Sequence, residues 1–420
     1  MTHDTSIDRS SYLKTILLAL AAAIGLAAIA TGLFALSGGS AIQVAAWVFA
    51  VSTLVPLALA ASGGVVLARL RRALHGATDL HLDSNVVRRE EALEKSDGFR
   101  AGLIRRQIAR AMLGHDMLVG DEVEIRSREE IEATLDERGC LDGLPFQPEM
   151  ARLCGARGRV FRSVDKIYDY GRTRRMRRLR ASVLVSGLRC DGADHGACQA
   201  RCYMIWKTEW LRRPGEAGTA PRVAGAGRIA PPRGTEALAD GSLRERFHCQ
   251  FTQLHEASTP MGEWEIGKEF RPLVAGNVTL RTWMIGLATR FFNLVQARRG
   301  GTAFPAMPRR IAGAIPIEAV PLAPGDTVVV RPIGQISTTL NEKNKHRGLW
   351  FDGDQIKYCG TSRTVLARVE RIIDDVHGQM LAMKTPCILL EGVDYSGETL
   401  NFSAQHDYFF WREVWLEKKT

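Results

Sequence analysis

"GDEVEIR" at residues 120–126 is followed 205 residues later by "GDTVVVR" at residues 325–331. With this offset kept constant, "GLPF" at 143–146 aligns with "GLWF" at 348–351, and "WKTEWL" at 206–211 aligns with "WREVWL" at 411–416. Over 120–211 and 325–416, 24 of the 92 aligned positions are identical, where about 5 or 6 are expected by chance. The chain therefore contains one unit twice, which predicts two modules of the same fold.

The pattern of each copy predicts short β-strands. Val123 and Ile125 alternate with glutamates, as in a half-buried strand. "SREEIEATLDERG" at 127–139 instead predicts a short helix that stops at Gly139. Several short strands with one helical turn in about 90 residues predict a small, partly open SH3-like β-barrel. The fold class predicted for the body is mainly β, with two duplicated SH3-like modules and short helices.

Two long apolar runs precede the duplicated body. The first extends from Tyr12 to Leu36 with Lys14 as its one charge, and the second stays uncharged from Ala41 until Arg69. Each run exceeds the roughly 20 residues that cross a bilayer. The first is also too long for the roughly 7–15-residue apolar region of a signal peptide. We therefore expect a two-helix transmembrane hairpin over 1–72, with a buried helical hairpin in a soluble core as the alternative.

The distribution of basic residues predicts the orientation of that hairpin and its surroundings. Basic residues flank both spans and are absent from the turn between them, which places both termini and the main body in the cytoplasm of a bacterium, at its inner membrane. The net charge of +10 and the run "RTRRMRR" at 172–178 fit an anionic lipid surface, with a solvated basic face as the alternative. Nucleic acid is not an expected partner, because no aromatic-rich binding motif accompanies these charges. The residues predicted to contact membrane lipids are Arg69, Arg71, Arg72, Arg175, Arg177 and Arg178.

Composition and periodicity divide the chain into six segments. They are the hairpin over 1–72, a basic juxtamembrane helical segment over 73–119, the first module over 120–213, a mobile loop rich in Pro and Gly over 214–246, a strand and helix over 247–320, and the second module over 325–420. In the fifth segment, "FHCQFTQL" at 247–254 predicts a strand. A helix is predicted after it, with Asn277 as its N-cap and Gly300 at its end.

The first module alone carries a cluster of soft metal ligands, "CDGADHGACQARC" at 190–202. None of its cysteines, nor its histidine, has a counterpart of the same type in the second copy, although the glycines and tryptophans around them recur. The shared fold therefore does not require these thiols, whereas the paired Cys154 and Cys359 are expected to serve packing. The counterparts of Cys190, His195, Cys198 and Cys202 are Tyr395, Leu400, Ser403 and Asp407.

The spacing C-x4-H-x2-C-x3-C indicates a metal site. Thiolate and imidazole are ligands that zinc prefers, and thiolates hold iron–sulfur clusters. A cytoplasm that keeps thiols reduced disfavours a disulfide knot. We expect an iron–sulfur cluster, with zinc or no metal as alternatives. The predicted ligands are Cys190, Cys198, Cys202 and Cys249, with His195 or His248 as a replacement ligand or as a hydrogen-bond donor beside them.

These residues also resemble a family of uncharacterised bacterial proteins that have the same tandem arrangement and a C-D-G-x-x-H-G-x-C-Q-x-x-C centre. The resemblance spans about 120–417 and rests on "RCDGADHGACQARC", "HCQFTQL" and the closing "WREVWL". It implies that Cys190, His195, Cys198, Cys202 and Cys249 belong to one site. It implies no activity, since none is established for the family, and the apolar hairpin departs from the family's usual pattern.

No established catalytic signature occurs in the chain. It has no G-x-x-x-x-G-K-[ST] phosphate loop, no H-E-x-x-H and no G-x-S-x-G. A thiol nucleophile at Cys198 or Cys202 with His195 as base is the catalytic alternative, but three crowded cysteines favour ligation. The predicted function is electron transfer or redox-sensitive docking by a membrane-anchored cytosolic metal-centre protein. The alternative is a non-enzymatic membrane scaffold, with structural zinc or no metal, that recruits a protein partner.

Overall fold

β-Strands dominate the computed structural model, which describes residues 99–216, 227–237, 243–262, 265, 267–305, 320–397 and 400–419. These residues all belong to one unit of the chain, Leu82–Thr420. Alternation of buried and open positions builds the strands: Val123 and Ile125 lie in the core, whereas Glu122 is exposed. The hydrophobic pattern of the sequence therefore translates directly into the first strand.

From the start of the described chain the elements are α1 (Phe99–Leu113), β1 (Glu122–Ile125), α2 (Arg128–Glu132), β2 (Cys140–Leu141), β3 (Leu144–Pro145), α3 (Pro148–Ala151), β4 (Arg157–Ser163), β5 (Lys166–Tyr168), β6 (Met176–Arg178), β7 (Ser182–Arg189), β8 (Tyr203–Lys207) and β9 (Leu211–Arg212). Five of these strands form the antiparallel sheet of the first module, in the order β8-β7-β4-β1-β9.

The elements between the two modules are β10 (Arg233–Ala237), β11 (Leu243–Phe247), α4 (Gln250–Gln253), β12 (Thr259–Pro260), α5 (Gly267–Ala275) and α6 (Leu280–Arg299). Those of the second module are β13 (Thr327–Val330), α7 (Ile333–Thr338), β14 (Lys345–His346), β15 (Leu349–Trp350), β16 (Ser362–Ile373), β17 (Met380–Leu390) and β18 (Leu416–Lys418). Four of these strands form the antiparallel sheet of the second module, in the order β17-β16-β13-β18.

Both sheets stay open, which corrects the predicted SH3-like barrels. The strands at the two ends of each sheet, β8 with β9 and β17 with β18, do not pair with each other among the described residues. Closure of a barrel needs a continuous ladder around the sheet, and β9 and β18 contribute only two and three residues. The body is therefore mainly β, with two half-barrel sheets and few helices.

The transmembrane prediction is also corrected. Throughout the described ranges, no helix combines the length and the apolar character needed to cross a bilayer. The longest of them, α6, has 20 residues but carries Arg281, Arg290, Arg298 and Arg299, and arginine is costly inside a bilayer. Residues 1–72, where both spans were placed, lie outside the described residues. The inner-membrane localisation depended on the same two spans and is withdrawn with them.

The two modules make the same interior hydrogen bonds at positions 205 residues apart. Trp210 Nε1 donates to Thr134 Oγ1 at 3.0 Å, and Trp415 Nε1 donates to Thr339 Oγ1 at 2.9 Å. Both indoles are fully buried, so each needs such an acceptor. The repeated tryptophans thus have the same packing role in both copies.

The modules face each other across an approximate two-fold axis. Gln199 N donates to Arg371 O at 3.1 Å, and Ala404 N donates to Lys166 O at 2.8 Å. Gln199 corresponds to Ala404, and Lys166 corresponds to Arg371, so the two bonds join equivalent positions in opposite directions. Reciprocal contacts of this kind characterise an isologous interface.

Helix α6 ends as predicted but begins elsewhere. Gly300 caps its C-terminus with a φ of 67°, and the N-cap is Thr279, whose side chain accepts from Thr282 N. Asn277, the predicted N-cap, instead accepts from Ser163 N at 2.9 Å and donates to Ser163 O at 2.8 Å. The side chain of Asn277 therefore bonds to the backbone of β4 and does not cap the helix.

The segment around Cys249 differs from its predicted form. Strand β11 ends at Phe247, and Cys249 is the N-cap of the short helix α4 rather than part of a strand. The reason is Gln250, whose buried side chain accepts from Ile205 N at 2.8 Å and donates to Ile205 O at 2.7 Å. Strands β10 and β11 also pair inside the segment that was predicted to be a mobile loop.

Candidate metal centre

The cysteine cluster lies in the loop 190–202, here called the cysteine loop, which connects β7 to β8. Cys190 N donates to Cys202 O at 2.8 Å and closes the loop at its base. Gly192 has a φ of 70°, and a Cβ atom there would lie 2.0 Å from Cys198 O. Only glycine fits at this close approach, which draws the two sides of the loop together.

The second copy contains the same loop without the thiols. Tyr395 N donates to Asp407 O at 2.9 Å, and a Cβ atom on Gly397 would lie 2.0 Å from Ser403 O. These are the positions equivalent to Cys190, Cys202, Gly192 and Cys198. The closing hydrogen bond and this close approach are therefore common to both copies, and the soft ligands occur only in the first.

The structure brings the predicted ligands to one cavity of about 30 Å³. Its walls come from four parts of the chain: Gln147 before α3, the cysteine loop with the start of β8, the start of α4, and Ile373 at the end of β16 in the second module. The ring of His248 does not line this cavity and lies against Gly234 of β10. The predicted ligands that line it are Cys190, His195, Cys198, Cys202 and Cys249.

His195 connects the segments that carry the cysteines. Its Nδ1 donates to Glu149 Oε1 at 2.5 Å, and both side chains are only 1% exposed. Its Nε2 lies 2.9 Å from Gln147 Nε2 and 3.2 Å from His248 O, the carbonyl that precedes Cys249. Both ring nitrogens therefore already have protein partners, and the imidazole ties the cysteine loop to α3 and to α4.

Glu149 is the site residue that sequence reasoning missed. Among the described residues, one group of potential metal ligands has its donor atoms all within 4.8 Å of one another, and it consists of Glu149, Cys190 and His195. The other three cysteines line the cavity without joining that group. The sequence signal was weak, because the second copy has a carboxylate, Asp354, at the position of Glu149.

Burial controls the state of the thiols. It raises the pKa of Cys190 and the pKa of Cys249 to about 12, and it raises the pKa of Cys202 well above its ordinary value. These groups are therefore neutral thiols at physiological pH in the absence of a cation. Buried neutral thiols are poor nucleophiles, but a coordinated metal ion removes the proton from a thiol. The environment suits ligation better than covalent catalysis.

The paired cysteines outside the cluster have the packing role that was expected. Cys154 is half-buried against the core of the first module, and Cys359 is half-buried against the core of the second. Neither lines the cavity of the cysteine cluster. They are therefore natural controls for substitutions at the site.

The arginines that were predicted to contact lipid occupy different environments. Arg175 is exposed, but Arg177 is buried and donates to Ser258 Oγ at 2.8 Å. Arg178 is half-buried and forms a salt bridge with Asp165 at 3.3 Å. Two of the three arginines of this run that were predicted to contact lipid thus make contacts within the fold, and lipid contact stays a prediction. Arg69, Arg71 and Arg72 lie outside the described residues.

Comparisons with protein-family models, with curated proteins and with solved structures found no match for this chain. The roles of the site residues therefore depend on the geometry described above.

Proposed function

We propose that this protein is a non-catalytic metal-centre protein in which Cys190, Cys198, Cys202 and Cys249 hold one soft transition-metal ion. The single observation that carries the proposal is the convergence of four thiols from two separate segments on one small cavity. The second copy supports it, because the equivalent hydrogen bond from Tyr395 N to Asp407 O closes the loop there without any of these thiols. The cysteines therefore serve something other than the fold of the loop.

The residues beside the thiols favour zinc over a cluster. His195 and Glu149 lie with Cys190 in one group of potential metal ligands. Zinc binds thiolate, imidazole and carboxylate ligands, whereas iron–sulfur clusters are held by thiolates. We therefore favour zinc. Electron transfer through an iron–sulfur cluster, the first prediction from sequence, stays as the alternative outcome of the metal analysis.

His195 has a positioning role in this proposal. Its two nitrogens are engaged by Glu149, by Gln147 and by the carbonyl of His248. A histidine held in this way fixes the distance between the cysteine loop and Cys249. The four sulfur atoms are then the donors, and the imidazole keeps the segments that carry them in place.

The test is metal analysis of the full-length chain purified under reducing conditions. We expect one zinc ion per chain and no visible absorption band. Cys198→Ser, Cys202→Ser and Cys249→Ser should each lose the ion, whereas Cys359→Ser, which removes a half-buried packing thiol, should keep it. If the analysis instead finds iron and sulfide together with visible charge-transfer absorption, the site holds an iron–sulfur cluster rather than zinc. A wild-type chain without stoichiometric metal would refute the proposal.

A further inference from the structure

The cysteine loop is also one of the parts of the first module that contact the second. Gln199 N donates to Arg371 O, and Gln199 Oε1 accepts from Glu370 N at 2.6 Å and from Arg371 N at 3.1 Å. These acceptors and donors belong to residues 370–373 at the end of β16, here called the docking patch. One loop residue thus makes three hydrogen bonds to the backbone of the other module.

Cys198 belongs both to the cysteine cluster and to the contact with the docking patch. Its Sγ accepts from Ile373 N at 3.4 Å, and both residues line the cavity of the cysteine cluster. The sulfur that is a candidate metal ligand therefore also accepts an amide of the docking patch. The second module thus completes the wall of a site whose candidate donors all precede that module in the chain.

The two-fold axis supplies the same contact without a thiol. Tyr168 N donates to Ser403 Oγ at 3.1 Å, and these residues correspond to Ile373 and Cys198. The interface therefore contains two equivalent amide contacts, one to a hydroxyl and one to a cysteine sulfur. Docking by itself needs only an acceptor at this position, which serine supplies.

We infer that metal occupancy is coupled to docking of the cysteine loop on the docking patch, so that the ion acts as a latch between the modules. The inference rests on the proposed function. A metal ion bound to the Cys198 sulfur holds in place the side chain that accepts the Ile373 amide at 3.4 Å. The ligand position of Cys198 also fixes the neighbouring Gln199, which makes the remaining docking bonds. Metal binding therefore strengthens the contact between Cys198 and Ile373 and leaves the equivalent contact between Ser403 and Tyr168 unchanged.

The first test is hydrogen exchange in the full-length chain with bound zinc and after its removal by a chelator. We expect the amides of the docking patch to exchange at least about tenfold more slowly with zinc, because coupling between sites is typically 5- to 150-fold. The amide of Tyr168 should change much less. An equal change at Tyr168 and Ile373 would show that zinc stabilises the whole fold and would overturn the latch.

The second test uses reciprocity, since docking must strengthen metal binding by the factor by which metal strengthens docking. Gln199→Ala removes the side-chain docking bonds, leaves every thiol in place and creates the residue that the second copy has at position 404. We expect zinc affinity to fall about tenfold. Ser403→Ala, which perturbs the equivalent contact, is the control and should leave zinc affinity unchanged.

The outcomes separate the two proposals. Stoichiometric zinc with unchanged affinity in Gln199→Ala overturns the latch and leaves the metal centre standing. Absence of bound metal in the wild-type chain overturns the metal centre itself. Weakened zinc binding in Gln199→Ala but not in Ser403→Ala supports both.

Discussion

Arg189 and Asp394 occupy equivalent positions of the two copies and form a salt bridge with each other, with 2.7 Å between Nη2 and Oδ1. A residue that meets its own counterpart lies next to the two-fold axis. The Arg189 guanidinium is also stacked between the equivalent rings of Tyr203 and Tyr408, at 3.8 and 3.9 Å from their centroids. Identical charges at this position would repel, so the salt bridge requires that the two copies differ here.

The first prediction concerns this pair. Arg189→Ala should lower the free energy of unfolding by about 2 kcal/mol, because it removes a half-buried charge pair and two cation–π contacts. Asp394→Ala should cost less, because the stacking on both tyrosines remains. A double-mutant cycle by denaturant unfolding should give a coupling of about 1 kcal/mol. Additive effects would mean that the pair contributes nothing to the contact between the modules.

The second prediction compares the interiors of the two modules. Thr134→Val and Thr339→Val each leave a fully buried indole N–H without its acceptor, which costs about 1–3 kcal/mol. Since Trp210 and Trp415 make the same bond, the two costs should agree to about 0.5 kcal/mol by thermal or denaturant unfolding. A large difference would show that the two copies have diverged in their cores despite the common hydrogen bond.

The third prediction concerns Glu149, whose Oε2 is buried without a hydrogen-bond partner among the described residues. Glu149→Gln should keep zinc bound but weaken it about 10- to 100-fold, as expected for a residue that positions the ligand segments through His195. Asp354→Asn, the same change in the second copy, should leave zinc affinity unchanged. Titration of zinc against a competing chelator measures both variants.

Zinc binding by Glu149→Gln and by Cys249→Ser also distinguishes a site of four thiolates from one that uses Glu149. If Glu149→Gln abolishes zinc binding while Cys249→Ser retains it, the ion is held by the group Glu149, Cys190 and His195 rather than by four thiolates. That result would assign the buried oxygen of Glu149 to the metal.

The fourth prediction concerns Arg177. Arg177→Ala should destabilise the fold by about 2–3 kcal/mol, because the buried guanidinium donates to Ser258 Oγ and, at 2.8 Å, to His255 O, and the change removes these charge-assisted bonds. Arg175→Ala on the exposed part of the same run should change stability by less than about 0.5 kcal/mol. Equal effects in thermal unfolding would contradict the structural role of Arg177.

The sequence by itself determined the features that depend on local pattern and on comparison of the two copies. The duplication, the buried face of the first strand and the end of the helix at Gly300 all follow from spacing and from backbone requirements of single residues. The sequence also predicted that Cys249 joins the cysteine loop, from the nearby soft pair His248 and Cys249 and from the family resemblance.

The same kind of reasoning failed where it extended a local pattern to a whole architecture. Short alternating strands predicted partly open SH3-like barrels, but each sheet forms only half a barrel, because the curvature and pairing of a barrel depend on long-range contacts that no local pattern encodes. Long apolar runs predicted two membrane spans, and the helices that the structure describes give them no support.

Only the tertiary structure decided which residues surround the thiols and which side chains are buried. Glu149, Gln147 and Ile373 reach the site from other elements, and Arg177 is buried although Arg172, Arg174 and Arg175 of the same basic run are exposed. The position of Cys249 at the start of a helix follows from one buried side chain, Gln250, that satisfies the backbone of a distant strand. Long-range hydrogen bonds of buried groups made these choices, because an unpaired buried donor or acceptor costs more than the local preference of any short segment.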